Sequence, residues 1–116
     1  MTHPELDIEI IRQFREDVGA AADEITDIFL EDTRDRLLKM DQLMADCDWQ
    51  GLANQAHTLK SSNKTFGLVQ LADIAGQLEH TCRNNDEKQT IRLMGEIQNS
   101  ADGALDAFAD AIKEMS

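Results

Sequence analysis

Apolar residues recur three and four positions apart along nearly the whole chain, the spacing of one buried face on an α-helix. Ile11, Phe14 and Val18 form the first run, with Asp7 ahead of it as an N-cap and Gly19 behind it as a stop. A longer run follows in Ile25, Phe29, Leu37, Met40, Leu43 and Cys47. Asp48 stands as an N-cap before Leu52, Ala56, Leu59 and Phe66, and Gly67 closes that helix. The next stripe holds Leu68, Leu71, Ala75, Leu78 and Cys82 and runs into an Asn84-Asn85 turn. Asp86 then caps a last helix, with Gln89 three residues on as in a capping box. Ile91, Met94, Ala101, Leu105, Phe108 and Ile112 form its seam.

The pattern predicts one short helix and four longer ones. Short connections make consecutive helices antiparallel. The expected fold is all-α: an antiparallel up-down four-helix bundle with a short additional N-terminal helix. No repeat, low-complexity tract or linker divides the chain, so residues 1–116 read as a single domain.

Composition supports this and narrows the function. Hydrophobic residues make up 41% and charged residues 29%, a globular balance. The formal net charge of -12 argues against nucleic acid and against an anionic membrane surface. It suits a partner with a basic rim. Cys47 and Cys82 form no CxxC and no metal-type spacing, which predicts two reduced thiols in or near a core. No signal peptide and no membrane span is visible, so a cytoplasmic monomer is expected. The starting Met1 and the compact length favour a standalone protein.

One segment carries chemistry. His57 falls on the polar side of its helix, about 140° from Leu52 on a helical wheel. Lys60 lies about 60° from it, Ser61 about 40° and Lys64 about 20°. Helical side chains lean toward the N-terminus, so both lysines lean back toward the imidazole. No Asp or Glu occurs between Trp49 and Ala72. A neutral imidazole nitrogen is a nucleophile toward phosphorus, and nearby ammonium groups stabilise a transferring phosphoryl group. The bland alternative is a solvated histidine on a polar helix face.

The segment resembles the active-site stretch of histidine-containing phosphotransfer (HPt) domains. Their pattern is a phosphoacceptor His, an apolar residue two on, then Lys-Gly-Ser, and a glycine ten after the His. His57, Leu59, Lys60, Ser62 and Gly67 match it. Ala56, Asp48-Trp49, Leu52, Phe29-Leu30-Glu31-Asp32 and Leu78-Glu79-His80 are also similar to the family. The likeness runs along essentially the whole chain. Ser61 stands where the family has glycine, a departure that bears on partner docking more than on the chemistry.

The resemblance implies a phosphocarrier that shuttles a phosphoryl group between aspartates of receiver domains in a multistep two-component relay. The partners would be receivers of a hybrid histidine kinase and of response regulators. His57 would be the phosphoacceptor, Lys60 and Lys64 its stabilisers, and Gly67 the structural stop. Ser61, Ser62 and Leu68 would lie in or near the docking surface. Arg83 falls where some relatives place a basic residue beside the site. No cofactor is implied in the chain itself, and magnesium is expected in the receiver's acidic pocket. There is no Walker or glycine-rich phosphate loop, so no ATP-dependent kinase activity is expected.

Other uses fit less well. A helical-bundle adaptor that carries no phosphate would share most of this composition. A di-iron bundle needs Glu-x-x-His on two helices, and none occurs. His80 reads as a surface or packing histidine and His3 as part of a terminal tail.

Overall fold

A computed structural model describes residues 5–115; His3 lies outside them. Five α-helices occur among the described residues: α1 (Ile8–Val18), α2 (Ala22–Ala45), α3 (Trp49–Thr65), α4 (Val69–Arg83) and α5 (Glu87–Glu114). A single 3-10 turn, Gly19–Ala21, joins α1 to α2. No strand occurs among these residues. The long axis is 43 Å, close to the length of the 28-residue α5 at 1.5 Å per residue.

The punctuation follows from local chemistry. Asp7 accepts from the backbone N–H of Glu9 and Ile10, Asp48 from Gly51 and Asp86 from Gln89. Each bond satisfies a donor that the first helical turn leaves without a partner. Gly19 ends α1 at φ 56° and Gly67 ends α3 at φ 86°, conformations that a Cβ disfavours. Asn85 takes φ 56° in the α4–α5 turn.

Side-chain pairs fix the packing. Phe29 meets Phe66 at 4.3 Å between ring centroids, and Arg36 donates to Gln55 at 2.6 Å, so α2 and α3 run antiparallel. Gln98 donates to Asp41 at 2.8 Å and Arg34 pairs with Asp106 at 3.5 Å, which sets α5 against α2. Phe14, Phe29, Phe66 and Phe108 form one aromatic cluster where α1, α2 and α5 meet the end of α3. Edge-on geometry there adds stabilisation beyond area burial.

Three expectations change. Cys47 is exposed, because α2 stops at Ala45 and Cys47 turns to φ 56°, which ends the helical register. Ile91 is 53% exposed, because the first turns of α5 extend past the end of α2. The capping box is half-built. The Asp86 N–H goes to the Thr81 carbonyl at 2.9 Å, and the Gln89 side chain instead accepts from Arg92 at 2.7 Å.

Candidate functional site

The α3–α4 hairpin builds the site. Gly67 turns the chain back so sharply that Leu68 N–H reaches the Asn63 carbonyl at 2.8 Å. The turn is pinned from outside, where Asp7 N–H donates to the Gly67 carbonyl at 2.7 Å. His57 lies ten residues before Gly67 and Glu79 twelve after it, so antiparallel packing sets them side by side.

Glu79 is the hub. Its side chain is only 14% exposed. His57 Nδ1 lies 3.1 Å from Oε2 and 3.2 Å from Oε1. Lys60 Nζ donates to Oε1 at 3.0 Å. Arg83 donates from Nε and Nη2 to Oε2 at 3.2 and 3.1 Å. Burial alone would raise the pKa of this carboxyl. The hydrogen bonds from Lys60, His57 and Arg83 outweigh that and hold it at about 2.

That ionisation fixes the histidine. A carboxylate only accepts hydrogen bonds, so Nδ1 carries the proton. In the neutral ring the lone pair is then on Nε2, on a side chain 56% exposed. Lys64 is exposed nearby and holds no ion pair among the described residues. Two cations, Lys60 and Arg83, share the Glu79 carboxylate beside the ring, and Lys64 lies about two turns further along the same face of α3.

Most of the named residues come together as the sequence suggests. His57, Lys60, Lys64 and Ser61 share a face, and Arg83 reaches it from α4. Ser61 is exposed, whereas Ser62 is half-buried and its hydroxyl donates back to the Leu59 carbonyl at 3.3 Å. Leu68 is a correction. It is 0% exposed and packs in the core, because it opens α4 on the inner side of the hairpin, and it lies in no docking surface. The acid-free surroundings of His57 are a second correction. They hold along the sequence of α3, but Glu79 enters from α4. The only local signal for it was the Leu78-Glu79-His80 likeness. His80 is a surface histidine whose Nε2 accepts from Asn84 Nδ2 at 3.0 Å.

No group of three or more His, Cys, Asp or Glu side chains among the described residues is placed to hold a metal ion. No helix among them is long and apolar enough to cross a membrane.

The family model for the Hpt domain matches residues 24–114. In fold the chain is similar to the crystal structure of histidine-containing phosphotransfer protein B from Pseudomonas aeruginosa PAO1. The TM-score is 0.91 at 21% sequence identity, over 97% of this chain and 98% of that one. No curated protein matches the sequence significantly.

Proposed function

The chain belongs to the Hpt domain family of two-component signalling, and from that premise we propose that His57 is a phosphocarrier between receiver domains in a multistep relay. The observation that supports this reading is the His57–Glu79 hydrogen bond, which commits Nδ1 to a proton and so, in the neutral ring, offers Nε2 as the nucleophile. Nε2 attacks the phosphorus of an aspartyl phosphate on the donor receiver. The N–P bond forms, the P–O bond to the aspartate breaks, and the aspartate leaves as a carboxylate. The ring gains positive charge as Nε2 shares its lone pair, and the Glu79 carboxylate stabilises that charge through Nδ1–H. The forward step to an acceptor aspartate is the reverse displacement on a second receiver.

Lys60, Lys64 and Arg83 surround the transferring group with positive charge. Magnesium, on this reading, belongs to the receiver's acidic pocket. The chain acts in the cytoplasm as a monomer, and its acidity suits receivers with a basic rim.

Incubation with a panel of phosphorylated receiver domains tests the reading. The protein should acquire an acid-labile, alkali-stable phosphate that His57→Ala lacks. A panel in which no receiver labels His57 sinks it.

A further inference from the structure

Lys60 starts on α3 and ends on Glu79 of α4, so its aliphatic stem must cross the surface of α4. It does so over Gly76. A Cβ built on Gly76 would stand 3.0 Å from Lys60 Cδ and 3.8 Å from Cγ. Gly76 lies one turn before Glu79 on nearly the same face of α4. The lysine stem thus lies across a bare stretch of helix and delivers its ammonium group one turn further on.

Glycine inside a helix is unfavourable relative to alanine. The other mid-helix glycines show what an unused one looks like. Cβ atoms on Gly95 and Gly103 of α5 would meet nothing within 4 Å. A Cβ on Gly51 would meet Asp48, the N-cap of its own helix, and Leu43. Among the helical glycines, Gly76 alone lies against a side chain of the His57 site. It also floors a groove of about 610 Å³ lined by Lys60, Lys64, Gln77, His80 and Arg92. The groove leaves room for the lysine to swing off Glu79 once the path over Gly76 is blocked.

We infer that Gly76 is a positioning residue of the phosphotransfer site: its missing side chain lets Lys60 reach Glu79, and through Glu79 it governs the carboxylate that orients His57. The inference rests on the phosphotransfer reading for its kinetic readout only. A methyl group displaces the lysine by a few tenths of an ångström, and a larger side chain closes its path.

Gly76→Ala and Gly76→Leu both replace glycine with a better helix former, which offsets the weakened Lys60–Glu79 contact, so thermal unfolding should show both folded and close to the wild type in stability. Carboxyl ¹³C NMR titration then reads Glu79 directly. In Gly76→Leu the midpoint should rise by about one pH unit, a tenfold change in proton affinity, as it should in Lys60→Met. Gly76→Ala should give a smaller rise. In a Lys60→Met background, Gly76→Leu should move nothing further. Phosphotransfer rates to and from a receiver should follow the same cycle.

An unchanged Glu79 midpoint in Gly76→Leu overturns the inference. So does an equal shift with and without Lys60, or a rate defect that persists in the Lys60→Met background, which would mean that the new side chain obstructs the partner. If His57 of the wild type is never labelled, the phosphotransfer reading fails, and the NMR cycle still decides the role of Gly76.

Discussion

Replacing Glu79 by glutamine keeps the shape of the hub and removes its charge, and the effect should depend on pH in a defined way. The carboxyl is held at about 2 against an ordinary value of 4.5. At full weight that difference corresponds to about 3 kcal/mol of stability. The partners are partly solvated, with side-chain exposures of 56%, 39% and 50% for His57, Lys60 and Arg83. Solvent screening reduces the net to about 1–2 kcal/mol, or about 4–8 °C in Tm for a domain of this size. A depressed pKa contributes stability that is complete above the unfolded value and is lost as pH falls through the folded one. The gap between wild type and Glu79→Gln should therefore be constant above about pH 5, narrow below 4.5 and close near 2. Urea unfolding of both proteins from pH 7 to pH 3 measures it, and the remaining acids cancel in the difference. A gap that stays the same width from pH 5 to pH 3 refutes the argument that an ionised, hydrogen-bonded Glu79 is its source.

Gly67→Ala should cost about 2–3 kcal/mol in urea unfolding, because φ is 86° and a Cβ would stand 3.0 Å from the Asp7 carbonyl. A loss below about 1 kcal/mol would mean that the turn has room to relax. Cys47 should react with maleimide in the folded protein, since it is exposed. Cys82 should react only on unfolding, because burial pushes its thiol pKa up, more than the Thr90 hydrogen bond and nearby Arg83 lower it. Mass spectrometry after native and denaturing labelling counts the two sites, and equal native labelling at both would contradict the buried position of Cys82.

Helix count, order and caps were legible in the sequence because each is set within a few residues. Asp7, Asp48 and Asp86 need only the N–H groups two or three positions on, and Gly67 needs only its own φ. Periodicity failed where a helix loses its neighbour. Cys47 kept the α2 spacing beyond the point where α2 ends, and Ile91 kept the α5 spacing beyond the reach of α2. The capping box failed for a related reason. Whether Gln89 turns back to Asp86 depends on what else can bond the Asp86 N–H, and the end of α4 supplies the Thr81 carbonyl.

The site was half-legible, and the missing half changes its logic. A wheel drawn on α3 places His57 and its lysines correctly but cannot see across the hairpin. An acid beside a phosphate acceptor looks like a like-charge penalty, and α3 itself carries none. Glu79 is instead an acid placed on the far nitrogen of the ring. It faces Nδ1, while the phosphoryl group would grow on Nε2. Its charge is already shared among Lys60, Arg83 and His57. The repulsion it exerts on the phosphoryl group is thereby reduced, while its hold on the Nδ1 proton is kept. A lysine pair alone would attract an anion to this face without choosing a nitrogen. On the proposed phosphocarrier reading, Glu79 would make the same face select Nε2 as the nucleophile and would supply a counter-charge for the ring as it becomes cationic.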